Sequence, residues 1–252
     1  MKLRISPTAL AMWDDCQLKF FYRVNEVEPL KTPETEDIIV GRDIHEIIRD
    51  YYLRLIGKDY EMTEFEIRAT LIELAEKRML MPILETESDD YVSTKFKSCL
   101  SNFVKVELER MRKFGGAKLL CVEEKAEKSE VMDNHEVVWT GVIDAVWYND
   151  GLRIGYDWKT GYRHNVITKP MIYQAMLYRH IYNLDKFYFV FLTKGVLIEV
   201  KEIDFDLMRE KVREIISVIE AGELEPNEKS CDTCEYNLPC KVWSMGVDLT
   251  NY

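Results

Sequence analysis

The residues with the clearest chemical potential lie in the segment GVIDAVWYNDGLRIGYDWK, which ends at Lys159. If residues 152–159 form a β-strand, Asp157 and Lys159 project from the same face, because side chains alternate along a strand. A hairpin turn at Asn149-Asp150-Gly151 would bring Asp144 close to Asp157. Two carboxylates are hard oxygen ligands for Mg²⁺ or Mn²⁺, and a neighbouring amine can orient or deprotonate a water molecule. The segment therefore predicts a metal-dependent hydrolytic site.

An acidic residue two positions before a lysine is a weak signal by itself, since 31% of the chain is charged. Glu123 with Lys125 and Glu199 with Lys201 have the same spacing. Taken alone, the pair at Asp157 favours a solvated strand face over a catalytic one. The interpretation therefore depends on the motifs that accompany this pair.

Two further pairs of residues have the spacing of neighbours on one helix face. Gly41 and His45 are one helical turn apart, so a position without a side chain lies beside the imidazole and leaves room for a metal ion or a phosphate. Gln174 and Tyr178 share the same spacing and could hold a phosphate or the lysine in place. Each pair alone is more typical of an ordinary structural helix.

Three of the six cysteines are clustered near the carboxyl end of the chain, as Cys231-x-x-Cys234-x5-Cys240. In an intracellular chain this spacing indicates metal ligands rather than disulfides. Three thiolates need a fourth ligand. A set of four thiolates can hold zinc or a 4Fe–4S cluster, and the spacing does not choose between them. Cys99 and Cys121 lie in apolar segments and are predicted to be buried core thiols.

The elements that must position these residues differ between the two halves of the chain. Ser6-Pro7 predicts the start of a short helix that ends near Cys16. Apolar periodicity predicts further helices at about 38–56, 63–80, 92–114, 168–183 and 205–221. Strands are predicted at about 118–131, 136–148 and 151–158, with two more in FYFVFLTKGVLIEV. This pattern indicates an α/β fold with a mixed sheet flanked by helices and preceded by a helical insertion.

Composition limits the classes of function. The net charge of −11 argues against a sequence-independent DNA-coating protein, because such proteins carry basic faces. Binding of DNA at a local site remains compatible with this charge if metal cations neutralise an acidic site and basic residues gather around one groove. No apolar run approaches the roughly 20 residues of a membrane span, and the first residues lack a secretory pattern. We expect a cytoplasmic protein without a membrane partner.

Together the motifs resemble the RecB-like nucleases of the PD-(D/E)xK type, and the resemblance runs from Ser6 to Cys240. The motifs that carry it are Gly41-x-x-x-His45, Gly141-x-x-Asp144, Asp157-x-Lys159-Thr160-Gly161 and Gln174-x-x-x-Tyr178. The resemblance implies a restriction-endonuclease-like fold with a cluster-bearing carboxyl-terminal tail. It implies these metal ligands: His45, Asp144, Asp157 and the Trp158 carbonyl. It also implies catalysis by Lys159, with Gln174 and Tyr178 flanking the site.

The cysteines resemble those of a subgroup of the same family, which has one cysteine in the first helix and three in this spacing at the carboxyl terminus. The segment ISPTALAMWDDCQLKFFY is similar to that subgroup's opening, although the proline often found after the cysteine is absent. The resemblance implies a 4Fe–4S cluster, with zinc as the alternative, held by Cys16, Cys231, Cys234 and Cys240. Such a cluster would stabilise the fold by closing a loop of more than 200 residues.

The resemblance implies an exonuclease that acts on single-stranded or ended DNA in recombination, repair, CRISPR adaptation or viral DNA processing, so the chain could be virus-encoded. We expect one unit over residues 1–252, with a helical part at about 57–116, a nuclease core at about 117–203, and a clamp formed by Cys16 and residues 231–240. Two alternatives stay open: a catalytically silent DNA-binding or scaffold protein, and a structure-selective endonuclease. The sequence also leaves open a protein partner or homo-oligomer, and whether Glu123 or Glu124 joins the site.

Overall fold

The computed structural model of this chain describes residues 1–30, 33–57, 61–85, 90–161, 166–201, 204–236 and 240. A six-stranded mixed β-sheet forms its centre, and helices cover both faces. The mixed α/β sheet with flanking helices that the sequence predicts is therefore confirmed. Every described helix is too short or too polar to cross a lipid bilayer.

The strands lie in the order β1-β3-β4-β5-β6, and β2 also pairs with β3. Their bounds are β1 Lys2–Ile5, β2 Lys118–Met132, β3 His135–Asn149, β4 Leu152–Lys159, β5 Lys186–Phe191 and β6 Val196–Val200. The pairs β1/β3 and β4/β5 are parallel, whereas β2/β3, β3/β4 and β5/β6 are antiparallel. The parallel pairs join segments that are far apart in the chain.

Eight α-helices surround the sheet in the described part of the chain. Their bounds are α1 Pro7–Asp15, α2 Gln17–Val24, α3 Glu36–Leu53, α4 Glu64–Lys77, α5 Met81–Glu85, α6 Tyr91–Lys113, α7 Lys169–Tyr182 and α8 Asp206–Ala221. A short 3₁₀ helix follows at Glu228–Thr233. The elements β1, α2 and α5 were not predicted from the sequence, because each is too short to give a clear periodic pattern.

The two faces of the sheet form two separate hydrophobic cores. Helices α1, α7 and α8 pack on one face, over aromatic residues such as Trp139 and Phe189. Helices α3, α4 and α6 pack on the other face, over Trp147, Tyr156 and Trp158. Strand β4 therefore lies between two helical layers, which is why it is mostly buried.

The hairpin between β3 and β4 has the turn that the sequence predicts. Asn149 pairs with Leu152, so the loop consists of Asp150 and Gly151 alone. Both loop residues have positive φ, of 49° and 85°, as a two-residue type I′ hairpin requires. The turn sets the register in which Ala145 faces Tyr156, and this register brings the carboxylate-bearing parts of β3 and β4 side by side.

Candidate active site

Asp157 and Lys159 form an ion pair at the carboxyl end of β4. The Lys159 Nζ lies 2.5 Å from Asp157 Oδ1, and Asp157 is 4% exposed. Strand alternation accounts for the pairing, because residues 157 and 159 face the same helical layer while Trp158 packs into the opposite core. The amine and the carboxylate are thus presented together, as the sequence predicts.

Gln174 on α7 holds both members of this pair. Its Oε1 accepts a hydrogen bond of 2.8 Å from Lys159 Nζ, and its Nε2 donates one of 2.6 Å to Asp157 Oδ2. The same Nε2 lies 3.1 Å from the Tyr178 hydroxyl, which in turn donates to the Val142 carbonyl. These contacts fix the amide of Gln174 and, through it, the position of the Lys159 amine.

Asp144 on β3 lies between strand β4 and helix α3. Its Oδ2 accepts a hydrogen bond of 2.6 Å from the backbone NH of Trp158. Its Oδ1 is 3.7 Å from His45 Nδ1. Burial lowers the pKa of His45, but the carboxylates of Asp144 and Asp157 together outweigh it and the net direction is upward. The structure therefore brings His45, Asp144 and Asp157 to one place from three different elements.

Two glycines allow the elements around the site to approach each other closely. A Cβ at Gly41 would lie 2.9 Å from Thr160 Oγ1, so the absent side chain lets α3 contact the end of β4. A Cβ at Gly141 would lie 2.5 Å from the ring of Tyr178. The glycines of the two motifs thus serve packing next to the functional side chains.

The buried carboxylate of Asp157 suits a cation. Its Oδ1 is buried and accepts no hydrogen bond from the residues that the structure describes, although the Lys159 amine lies close to it. Burial raises the pKa of Asp157, and the nearby Asp144 adds to this effect. Carboxylate oxygens and an imidazole nitrogen are donors that Mg²⁺ and Mn²⁺ accept. Across the residues that the structure describes, however, no three His, Cys, Asp or Glu side chains are already arranged as a metal-binding cluster.

Glu123 lies at the site, whereas Glu124 does not. Glu123 is half-buried, and burial, with Asp144 as a further cause, raises its pKa, while Arg49 and His45 oppose the rise. Its backbone has φ of 45°, in the left-handed region. Glu124 is exposed, and its carbonyl accepts a hydrogen bond from Tyr182. Of the two glutamates between which the sequence did not decide, Glu123 is therefore the one that lies at the site.

Arg49 is a residue of the site that sequence reasoning missed. Its Nη1 lies 3.6 Å from Glu123 Oε2, and two of its nitrogens contact Asp50 Oδ1 at 3.0 and 3.1 Å. Arg49 lies four positions after His45 on α3. The helical period could therefore have indicated that the two side chains share one face of the helix.

Cys16 meets the cysteine-rich tail through backbone and side-chain contacts. The Asn227 NH donates to Cys16 Sγ at 3.4 Å, and the Tyr236 NH donates to Cys234 Sγ at the same distance. Burial raises the pKa of Cys240, and Cys234, Cys16 and Cys231 are close enough to raise it further. The four cysteines named by the sequence therefore lie in one region.

Several contacts outside the sulfur atoms hold this region together. The Asp15 carboxylate accepts a hydrogen bond from Ser230, and the Gln17 amide oxygen accepts one from the Glu225 NH. The NH of Leu30 donates to the Glu235 carbonyl. Of the other two cysteines, Cys99 is fully buried as predicted, but Cys121 is only half-buried, since it lies at the irregular start of the β2/β3 pairing.

The match to one protein family agrees with this architecture. Residues 4–241 match the family model described as "PD-(D/E)XK nuclease superfamily", and a mixed six-stranded sheet flanked by helices is consistent with that family. Among solved structures, the chain is similar to one described as "Crystal structure of SSO0001", with 12% identity and a TM-score of 0.39. The similarity covers 81% of this chain and 97% of that one. No curated protein matches the sequence.

Proposed function

Since this chain belongs to the PD-(D/E)XK nuclease superfamily, we propose that it hydrolyses DNA phosphodiester bonds at the site that Asp157 and Lys159 share. The observation that carries the proposal is the closed set of contacts in which Gln174 binds both residues. An amine held beside a buried carboxylate is positioned for proton transfer or for orienting a water molecule.

The proposed metal ligands are His45, Asp144, Asp157 and the Trp158 carbonyl, with Glu123 as a further acidic neighbour. A bound Mg²⁺ or Mn²⁺ would supply charge neutralisation and polarisation at the scissile phosphate. Trp158 holds Asp144 through its backbone NH, which leaves Asp144 Oδ1 directed towards His45. The residues thus orient the donors, while Lys159 assists the water that attacks phosphorus as the P–O bond breaks.

We propose the exonuclease mode and a single-stranded or ended DNA substrate from the resemblance to RecB-like nucleases. The test uses 5′- and 3′-labelled linear DNA and circular single-stranded DNA, each with Mn²⁺. Metal-dependent loss of linear but not circular DNA supports an exonuclease, and cutting of the circle supports the structure-selective endonuclease.

A matched pair of variants tests the site itself. Asp157→Asn is expected to abolish cleavage, while Asp133→Asn, which changes an exposed carboxylate in the β2–β3 turn, is expected to leave it intact. If the wild type shows no Mn²⁺-dependent cleavage of any of these substrates, the proposal fails and the catalytically silent scaffold is favoured.

We also propose that the chain forms a single nuclease unit, with a helical part at about 57–116, a core at about 117–203 and a clamp of Cys16 with residues 231–240.

The proposed 4Fe–4S cluster is supported by the proximity of the four cysteines and by NH donors to two of their sulfurs, since such hydrogen bonds tune cluster thiolates. Anaerobic protein is expected to contain iron and acid-labile sulfide. Cys240→Ser should lose both, and Cys121→Ser should keep both; stoichiometric zinc without iron would favour the zinc site.

A further inference from the structure

A groove leads away from the candidate active site between helix α1 and strand β3. Its first part has a volume of about 590 Å³ and is lined at one end by Lys159, Gln174 and Tyr178. The other end of this part is lined by Arg23 on α2. The groove therefore connects the proposed reaction centre to a cation on an element that the proposed chemistry does not use.

A second cavity of about 670 Å³ continues the groove. The two cavities share Ser6, Arg23 and Thr140, so they form one continuous depression along β3. Small side chains keep the first part open, since Thr8 and Ala11 line it and Gly141 forms part of its floor. The groove is thus an open path rather than an enclosed pocket.

Arg23 differs from the other cations of the groove because its guanidinium has no partner in the described part of the chain. Its side chain is exposed and makes no hydrogen bond or ion pair with any residue that the structure describes. By contrast, Arg4 and Lys125 in the second cavity both pair with Glu127. A guanidinium that is exposed and unpaired is available to a phosphate.

The charges along the groove limit how far an anionic ligand extends. The second cavity is also lined by Glu26 and Glu28, which oppose a polyanion at its far end. The hydroxyl groups of Thr8 and Thr140 lie nearer the site and can donate hydrogen bonds to phosphate oxygens. The part between Lys159 and Arg23 is therefore the part suited to a phosphodiester backbone.

We propose that this groove holds one polynucleotide strand leaving the active site, with Arg23 binding a phosphate beyond the scissile one. The inference rests on the proposed nuclease function and adds to it the path of the strand outside the active site and a binding residue, Arg23, on that path. A lone strand exposes its backbone to a narrow groove, and such grooves bind it mainly through phosphate charge.

The test measures binding of a fluorescent 20-nucleotide single-stranded DNA by anisotropy in Ca²⁺ buffer, over a series of salt concentrations. Arg23→Ala is expected to weaken binding about tenfold and to reduce the slope of log Kd against log salt by about 0.7, the value for one phosphate contact to a single strand. Arg112→Ala is the matched control, because Arg112 is an exposed arginine on α6 that lines neither cavity.

Cleavage assays distinguish an effect on strand binding in the groove from an effect on the chemical step. In Mn²⁺, Arg23→Ala should raise KM for the 20-nucleotide strand with little change in kcat, and it should not affect hydrolysis of the p-nitrophenyl ester of thymidine monophosphate, which cannot reach Arg23. Equal salt slopes for Arg23→Ala and Arg112→Ala would overturn the groove assignment, as would duplex binding with the same dependence on Arg23. If the wild type binds the strand through Arg23 but cleaves nothing, the nuclease proposal fails and the groove stands.

Discussion

The backbone NH of Trp158 donates a hydrogen bond of 2.6 Å to the carboxylate of Asp144. This contact joins the central residue of the Asp-x-Lys motif to the second carboxylate of the site. It fixes Asp144 Oδ2 and leaves Oδ1 on the side of His45. The carboxylate of Asp144 is therefore oriented by the backbone of the β3–β4 hairpin, whereas that of Asp157 is held by the side chains of Lys159 and Gln174.

Asp144→Asn is the substitution that separates charge from shape at this position. The amide oxygen of asparagine can still accept the hydrogen bond from Trp158, so we expect the melting temperature to change by only a few degrees. The loss of a charged ligand is expected to lower kcat/KM at least about 100-fold. The measurements are thermal unfolding and Mn²⁺-dependent cleavage; retained cleavage would remove Asp144 from the proposed ligand set.

Gln174→Ala tests a positioning role. Without the amide, the Lys159 amine loses a hydrogen bond of 2.8 Å and Asp157 loses one of 2.6 Å. We expect kcat to fall about 10- to 100-fold with KM little changed, because misplacement of a reacting group affects the chemical step. Tyr178→Phe is the comparison, since it keeps the ring and removes only the hydroxyl; a purely structural role for Gln174 predicts that both variants lose stability and keep kcat.

Gly141→Ala is expected to destabilise the fold by about 1–3 kcal/mol, the usual result of overpacking. The added Cβ would lie 2.5 Å from the Tyr178 ring, whereas a Cβ at Gly161 would meet no atom within 4 Å. Urea unfolding of Gly141→Ala, Gly161→Ala and the double variant Gly141→Ala/Tyr178→Leu measures the effect. The double variant should recover part of the loss; equal stability of the two alanine variants would contradict the packing argument.

His180 is expected to make stability depend on pH. Burial lowers its pKa to about 4, and Lys128 and Arg209 contribute; the ring stacks on Phe205 at 3.8 Å. Because the folded pKa lies below the ordinary value of about 6.5, the unfolded chain binds the proton more readily. The stabilisation is therefore complete above about pH 6.5 and is lost as the pH falls towards 4.

The His180→Phe variant keeps an aromatic ring on Phe205 and removes the titration. Relative to this variant, the wild type should lose on the order of 1–2 kcal/mol of unfolding free energy between pH 7 and pH 4, a figure reduced for solvent screening of the half-buried ring. Urea unfolding at pH 7, 6, 5 and 4 supplies the comparison. Parallel pH profiles for the two proteins would show that His180 contributes nothing.

Local rules predicted the part of the site that one hairpin forms. The turn at Asp150-Gly151 and the alternation along β4 are short-range features, so the proximity of Asp144, Asp157 and Lys159 could be expected from the sequence. The same holds for the helical pair of Gln174 and Tyr178. The motifs indicated which residues matter, and the hairpin explained how two of the elements meet.

The other contacts depend on long-range packing and were beyond these rules. Strand β1 pairs in parallel with β3, about 130 residues later in the chain, and no local pattern encodes such a pairing. Glu123 rather than Glu124 lies at the site because the register of β2 on β3 places it across from Asp144, between the paired positions 122/145 and 124/143. The role assigned to Arg23 depends on a groove whose walls come from separate elements, so the sequence alone gave no reason to single it out.

The attachment of α1 and α2 to the tail has a consequence for biosynthesis. Asp15 is synthesised 215 residues before its hydrogen-bond partner Ser230, and Gln17 is synthesised 208 residues before its partner Glu225. Apolar residues of the first two helices, such as Tyr22, therefore remain uncovered until the segment that contains Leu224 and Tyr236 has been made. A nascent chain that stalls before this segment is made would expose a hydrophobic surface to chaperones and proteases.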